Sequence, residues 1–328
     1  MFPYFDIPID EYIAKMNSFR TILPLKDSPT KISHEDQVIF MGSCFAQEMG
    51  EKMSRYQFNC CTNPFGILFN PSSLATALDR IIANRPYSST ELTFDDRLFH
   101  SFDHHGSFSK PKEKDILEEI NQSLSLAHAQ LKNSRVLIIT FGSAWVYRLI
   151  STGKVVANCH KFPQQAFAKE LLTFSEIVLT WKRCLQDLKQ LNADLQIIFS
   201  VSPVRYLRDG FEGNQLSKSH LILAVHELCN EKDVSYFPSY EIQMDDLRDY
   251  RFYKSDMLHP SAEAVQYIWE QFINVHIDPY SRQLMNSMEK YILLKEHRSI
   301  SETEDEKQSR LDKAQRGIET LLNLKKKI

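Results

Sequence analysis

A serine and an Asp-x-x-His unit are the residues whose types and spacing could carry acyl transfer. Ser43 stands in "VIFMGSCFAQEMG" (38–50), where an apolar run turns at Gly-Ser-Cys. Asp256 precedes His259 by three residues in "SDMLHPSAEAVQYIWEQF" (255–272). That separation across a turn lets the carboxylate reach the imidazole Nδ1–H while Nε2 faces outward as a base. A nucleophile, a base and an orienting carboxylate suffice for acyl transfer.

The elements around these residues would bring them to one edge of a parallel sheet. Short apolar, β-branched runs alternate with helix-length patterns, which is typical of a doubly wound α/β fold. The runs are "QVIFMG" (37–42), "RVLIITFG" (135–142), "LQIIFSVSP" (195–203) and "VSYFPS" (234–239). Ligands of such sheets bind beyond the carboxyl ends of the strands. Ser43 follows the first run and precedes a helical pattern, so its hydroxyl is expected at that edge, near helix N–H groups.

Helices are predicted where apolar residues recur every three to four positions. The stretches 116–134 and 174–193 show this pattern and would cover the sheet. Pro260 and Ser261 are typical first-turn or cap residues of a further helix. Its predicted buried stripe is Ala264, Val265, Ile268 and Phe272. The Asp-x-x-His unit is therefore expected at a helix entrance.

Composition narrows the classes of partner and location. The 328 residues carry 39 basic and 42 acidic side chains, a formal charge of -3, without a strongly basic segment, which argues against nucleic acid. The first 19 residues include acidic ones where a signal peptide needs an apolar run. Nowhere do about eighteen apolar residues occur together, so no membrane span is expected. The six cysteines form no Cys-x-x-Cys pair, which favours reduced thiols and a cytoplasmic protein.

Two units are predicted along the chain. Residues 1–284 would form the main domain, and residues 285–328 a charged helical tail that lacks proline. Acidic residues at 302–306 are expected to interrupt the tail with a disordered break. Docking or homo-oligomer formation through the tail is the alternative to a solvated appendage.

The motif "MGSCFA" (41–46) resembles the signature of the GSCFA family, and the resemblance covers most of residues 18–275. Further matching stretches are "NPFGILFNP" (63–71), "TFGSAWVY" (140–147), "VVANCHKFP" (155–163), "SPVRYLRDGFEGNQLSKSHL" (202–221) and "DMLHPS" (256–261). The family is similar to the SGNH/GDSL hydrolases, flavodoxin-like three-layer α/β proteins with the serine after the first strand and Asp-x-x-His near the end.

That resemblance implies Ser43 as nucleophile, His259 as base and Asp256 as orienter. It also implies an O-acyl (acetyl) esterase or acyltransferase acting on a carbohydrate or other polyhydroxylated small molecule, without a cofactor. Cys44 competes on chemical grounds, because a thiolate is the better nucleophile and a helix N-terminus lowers its pKa. In this superfamily the residue at position 43 turns toward the base, so Cys44 is expected to be a packed side chain.

An oxyanion hole is needed, since loss of one donor costs roughly 2.7–4 kcal/mol of barrier. The Ser43 backbone N–H is the first candidate, and Gly66 resembles the family's second-block glycine. The third block normally ends in Gly-x-Asn, whereas this chain has Gly142-Ser143-Ala144. A Gly142 or Ser143 N–H, the Ser143 hydroxyl, or Asn158 would then replace the asparagine. Because the asparagine is absent, a non-catalytic binding module that retains the hydrolase fold is the alternative function.

Four further residues in turn-like stretches are expected near the carboxyl edge as substrate contacts. Arg205 would clamp a substrate carboxylate or phosphate, or else pair with Asp209. His160 would contact substrate or oxyanion, or else have a hydrogen-bonded structural role. Asn63 and Asn214 would contact substrate, or else satisfy their own turn backbone.

The segment "FDDRLFHSFDHHGSFS" (94–109) gathers His100, His104 and His105 among acids and aromatics. Zinc ligands would need better spacing, so no metal is expected. Hydrolases of this type carry substrate-covering loops in the corresponding insertion. A lid or substrate wall is therefore favoured over a solvated loop.

Overall fold

The structure, a computed structural model, describes residues 21–297 and 302–325, with 324 and 325 described in backbone only. The strands are β1 (Gln37–Gly42), β2 (Asn59–Thr62), β3 (Leu92–Phe94), β4 (Phe99–Ser101), β5 (Val136–Phe141), β6 (Trp145–Leu149), β7 (Val155–Val156), β8 (Phe167–Leu171), β9 (Gln196–Val201) and β10 (Val234–Phe237). The longer helices are α1 (Cys44–Arg55), α2 (Pro71–Ala83), α3 (Glu113–Asn133), α4 (Phe174–Leu191), α5 (Gly210–Leu228), α6 (Ala262–His276), α7 (Pro279–Glu296) and α8 (Glu304–Lys325). Short helical turns cover Ser89–Glu91, Gly106–Phe108, Gln164–Ala166, Leu207–Asp209, Ser239–Glu241 and Tyr250–Phe252, and a π-helical turn covers Ile242–Asp246.

Five parallel strands form the central sheet in the order β2-β1-β5-β9-β10. In register, Phe40 of β1 lies between Thr62 of β2 and Ile138 of β5. Counting only these strands, the order is 2-1-3-4-5, the flavodoxin-like arrangement, whose switch point lies between the first and third strands. Ser43 follows β1 directly, so it stands at that switch point. The predicted doubly wound α/β fold is confirmed.

Helices cover both faces of the sheet because its strands alternate between two hydrophobic cores. Ile39 and Met41 of β1 point into the core formed with α2, α3, α4 and α5. Val38 and Phe40 point into the core formed with α1, α6 and α7. The sheet is therefore the middle of three layers.

Two small antiparallel sheets belong to insertions between the main strands. β3 pairs with β4, and β6 pairs with both β7 and β8. The four predicted strands and the helices over 116–134 and 174–193 are confirmed, with boundaries shifted by a few residues. The sequence did not indicate β2, because "NCCT" at the sheet edge is short and without an apolar run.

The C-terminal residues form two packed helices. Ile318 of α8 is buried with Leu284, Met288 and Ile292 of α7. Thr303 and Glu306 cap the start of α8 reciprocally, with a 2.8 Å bond from the Thr303 N–H to the Glu306 carboxylate. The expected disordered break at 302–306 is therefore wrong where the structure describes it, since α8 begins at Glu304.

The C-terminal pair is tied to the far end of α1. The Arg55 guanidinium lies 3.2 Å from Glu289 and 2.7 Å from Glu296, both on α7. The proposed division at residue 284 falls within α7, and the two-unit organisation stays a prediction. In the described ranges, no helix has the length and apolar content needed to cross a membrane. All six cysteines lie in these ranges and are unpaired.

Candidate active site

Ser43 occupies a turn whose geometry depends on the preceding glycine. Gly42 has a φ of +146°, and a Cβ there would lie 2.3 Å from the Thr140 carbonyl oxygen, so only glycine fits. Ser43 is the N-cap residue of α1, yet its hydroxyl makes no capping bond. The Oγ is buried and has no hydrogen-bond partner among the described residues. The turn therefore holds a serine oxygen that makes no hydrogen bond within the described part of the fold.

Asn63 supports this turn from the loop after β2. Its side-chain oxygen accepts the Gly42 N–H at 2.8 Å, and its Nδ2 donates to Gln47 of α1 at 3.1 Å. Both bonds lead away from Asn63's own turn. Asn63 thus positions the chain on either side of Ser43, and its predicted substrate contact stays untested.

Asp256 and His259 form the expected pair. The His259 Nδ1–H donates to Asp256 Oδ2 at 2.7 Å, and the other oxygen, Oδ1, accepts the N–H groups of Leu258 at 2.8 Å and His259 at 3.0 Å. These N–H donors, the His259 one first, lower the Asp256 pKa to about 2. Ser261 caps α6 by accepting the Ala264 N–H at 3.3 Å, as predicted. His259 is half-exposed just before that helix.

The packing of α1 against α6 brings the serine and the histidine to the same edge. Lys52 of α1 donates to Gln266 of α6 at 2.7 Å, and Lys254, beside the histidine loop, donates to Glu48 of α1 at 3.3 Å. In the described structure no hydrogen bond joins Ser43 to His259. Such bonds are often absent in free enzymes and form when substrate binds.

The four backbone N–H groups predicted for the oxyanion hole all donate to carbonyl oxygens within the fold. Their role as oxyanion donors stays a prediction. The Ser43 N–H donates to the Thr140 carbonyl at 3.2 Å, and the Gly66 N–H donates to the Asn63 carbonyl at 2.7 Å. The Phe69 carbonyl accepts both remaining backbone donors, Gly142 N–H at 2.7 Å and Ser143 N–H at 3.1 Å.

The two side chains predicted as oxyanion donors, Ser143 and Asn158, differ in whether a donor is left free. Ser143 Oγ lies 3.2 Å from Ser217 Oγ and accepts the Trp145 N–H at 3.1 Å. Asn158 accepts the His160 N–H at 2.9 Å through Oδ1. Its Nδ2 donates to no group that the structure describes, so Asn158 alone retains a donor.

The first turn of α1 offers other donors. The N–H groups of Cys44 and Ala46 donate to no oxygen of the described residues, as expected at a helix start. The Cys44 thiol lies on the same turn, and burial raises its pKa above the ordinary value. Its environment thus disfavours a thiolate. The sequence predicted helix N–H groups near Ser43 without identifying these two.

His160 has the surroundings of a structural residue. It is buried, its Nε2–H donates to the Ser101 carbonyl at 2.8 Å, and its ring lies 4.6 Å from that of His100. Burial lowers its pKa to about 4. These contacts favour the hydrogen-bonded structural alternative for His160, and its substrate contact stays an untested prediction.

Asn214 is likewise part of the scaffold. It is buried, and its Oδ1 accepts the Tyr206 N–H at 3.0 Å across the loop that leads into α5. This bond fixes the turn that carries Arg205. The Asn214 Nδ2 is buried and donates to no group of the described residues, and the predicted substrate contact stays a prediction.

The 94–109 segment packs on the loop that carries Asn63. The His105 N–H donates to the Phe65 carbonyl at 3.0 Å, and the His104 ring stacks 4.3 Å from that of Phe65. A Cβ on Gly66 would lie 2.3 Å from the His105 Cβ, so this contact is close. Across the described ranges, no three His, Cys, Asp or Glu residues form a metal-binding group. The function of the 94–109 segment as a lid or substrate wall stays a prediction.

Lys218 is a charged residue of this edge that the sequence analysis missed. It is fully buried on α5, and its Nζ donates to the carbonyls of Gly142 at 2.9 Å and Ser202 at 2.6 Å. Gly142 is close to the serine, since a Cβ there would lie 3.4 Å from the Ser43 Cβ. The signal was present, because Lys218 occupies the buried stripe of α5 together with Asn214 and Leu221.

This chain is similar to one protein family by sequence and to an esterase among the solved structures. The family model described as "GSCFA family" matches residues 37–272. A search of curated protein sequences found no match. Among solved structures, an acetyl xylan esterase (Est2A) from the rumen bacterium Butyrivibrio proteoclasticus is similar at 12% identity and a TM-score of 0.37. The match covers 80% of this chain and 66% of the esterase chain.

Proposed function

This chain belongs to the GSCFA family, and from that premise we propose that it is an SGNH-like serine esterase or acyltransferase. Its substrate is a small O-acyl ester, such as an acetyl ester, of a carbohydrate or other polyhydroxylated molecule. One observation carries the proposal. The hydrogen-bonded Asp256–His259 pair lies at the same sheet edge as a serine hydroxyl, Ser43 Oγ, that makes no hydrogen bond within the described fold.

In the proposed reaction Ser43 Oγ attacks the ester carbonyl carbon while His259 Nε2 takes the hydroxyl proton. The oxyanion accepts the N–H groups of Cys44 and Ala46, where the helix dipole also favours negative charge. The intermediate collapses, the C–O bond to the alcohol breaks, and His259 returns the proton to the leaving alcohol. Water or an acceptor hydroxyl then attacks the acyl-serine, with His259 as base again, and Ser43 is regenerated.

Asp256 keeps the Nδ1–H of His259 in place and stabilises the imidazolium. Because its carboxylate has a pKa of about 2, it stays ionised throughout the neutral range. Ser43 Oγ is buried, so substrate entry requires the groups that cover it to move.

A fluorophosphonate tests this proposal directly. Incubation should add one phosphonyl group to the wild type by intact mass and none to Ser43→Ala. Ser43→Ala should also lose p-nitrophenyl acetate hydrolysis while its Tm stays nearly unchanged, since the hydroxyl makes no hydrogen bond. Cys44→Ala is the matched control and should keep both labelling and hydrolysis.

The engaged backbone donors favour the second candidate, a binding module that retains the hydrolase fold. In that case a folded wild type would take up no fluorophosphonate and would not hydrolyse the ester. Labelling that persists in Ser43→Ala but disappears in Cys44→Ala would instead transfer the nucleophile to the thiol.

A further inference from the structure

Arg205 lies beside the histidine loop with its charge unused by the fold. Its backbone N–H donates to the Leu258 carbonyl at 2.9 Å, which fixes it next to His259. Among the described residues, its half-buried guanidinium makes one hydrogen-bond contact, from Nη1 to the Met244 sulfur at 3.7 Å. Its Nε is buried and finds no acceptor in the described ranges. A guanidinium is normally placed where a carboxylate or phosphate accepts its N–H groups.

Asp209, the ion-pair partner that the sequence suggested for Arg205, is paired with another residue. Asp209 is bound by Lys169, and the Asp209 side chain is only 2% exposed. No carboxylate in the described structure lies within 4 Å of the Arg205 nitrogens. Arg205 is therefore not neutralised by an ion pair within this part of the chain.

A second uncompensated cation lies close by. Lys218 donates to two neutral carbonyls and forms no ion pair with the described acidic groups. Burial is the main cause that lowers its pKa to about 7, and the Arg205 charge lowers it further. The groups that face Lys218 are the Tyr240 ring, 5.4 Å from Nζ, and more remotely Cys44 and Glu241.

Glu241 does not cancel this charge by direct contact. Its carboxylate accepts the Tyr236 hydroxyl at 2.7 Å, and burial raises its pKa. Two cations near one another without a contacting carboxylate create a positive potential at this edge of the sheet. Such a potential attracts an anion.

We propose that Arg205 binds an anionic group of the substrate, a carboxylate or a phosphate, with Lys218 as a second, buried basic group near it. The substrate class is then an acidic or phosphorylated ester rather than a neutral one. The substrate part of this inference rests on the proposed hydrolase function. The anion site itself does not, because it requires no catalysis.

Thermal unfolding in the presence of anions tests the site. The wild type is compared in chloride, inorganic phosphate and acetate at equal ionic strength. At an anion concentration tenfold above Kd, the Tm should rise by about 2 °C relative to chloride. If only phosphate raises the Tm, the site binds phosphate groups. If only acetate raises it, the site binds carboxylates. Arg205→Gln should abolish the rise, and Arg205→Lys should reduce it.

Arg251→Gln is the matched control, because Arg251 is exposed and already paired with Asp249 at 3.0 Å. It should keep the full rise. The inference is overturned if no anion raises the wild-type Tm, or if the rise survives in Arg205→Gln. A rise in a protein that takes up no fluorophosphonate would leave the anion site standing and the hydrolase proposal refuted.

Discussion

At the scale of single residues, the Asp256 carboxylate has two separable tasks. One oxygen holds the loop backbone and the other holds the imidazole. Asp256→Asn keeps an oxygen that can accept the backbone N–H groups but loses the charge that fixes the imidazole tautomer. We expect kcat/KM for p-nitrophenyl acetate to fall by roughly 10⁴-fold, as for triads in general.

The accompanying Tm should change little, because Asp256 is exposed. An Asp256→Asn variant with wild-type kcat/KM would mean that another group orients His259. Asp245→Asn is a suitable control, since Asp245 is an acidic residue paired with Arg248 on the surface.

Also at this scale, the sequence predicted the positions of the candidate side chains better than it predicted which backbone N–H groups are engaged. Ser43, Asp256 and His259 lie at the expected edge because strand ends and helix starts follow from local patterns. Whether a backbone N–H is free depends on acceptors far along the chain. The Phe69 carbonyl, which takes both Gly142 and Ser143, could not be inferred from "TFGSAWVY".

At the scale of elements, Ile318 is the most deeply buried large side chain that α8 packs against α7. Ile318 is 1% exposed in the cluster that includes Met288 and Ile292. We expect Ile318→Ala to lower the free energy of unfolding by about 2–5 kcal/mol in urea titration. The exposed Lys313→Ala is the control and should have almost no effect.

Fluorophosphonate labelling of Ser43 should be unchanged in Ile318→Ala. The C-terminal pair contacts α1 at Arg55, and α1 separates that residue from Ser43 by about 18 Å along its axis. Slower labelling in this variant would show that the C-terminal helices influence the serine end of α1.

Elements with a clear period were predictable, and those set by tertiary contacts were not. β5 is buried over all six residues, and its run of apolar residues predicted a strand. β2 was missed because "NCCT" acquires its strand conformation by pairing with β1. The start of α8 was missed because its acidic residues suggested disorder, whereas Thr303 and Glu306 cap each other.

At the scale of the whole molecule, three buried histidines couple the fold to pH. Burial lowers the pKa of His104 to about 3, of His276 to about 3 and of His160 to about 4. Between about pH 6.5 and pH 4 the unfolded chain binds protons that the folded chain does not. Stability is therefore lost as the pH falls through this window, by up to about 1.4 kcal/mol per pH unit for each histidine.

The Tm measured from pH 7 to pH 4 should fall accordingly. His276→Phe, at a position packed against Phe272 with a 4.7 Å ring separation, should make the fall less steep. His297→Phe is the control, since it replaces an exposed histidine. A flat Tm profile in the wild type would contradict the neutral state of these side chains.

The covered hydroxyl of Ser43 has a consequence for selectivity. In the proposed reaction an ester reaches Ser43 Oγ only after the groups that bury this oxygen have moved. Selectivity between esters would then be determined by the groups that bury Ser43, before any bond of the substrate is broken. Esters that cannot displace these groups would stay unhydrolysed in the presence of the protein. Water would likewise be kept from Ser43 Oγ until a substrate has displaced them.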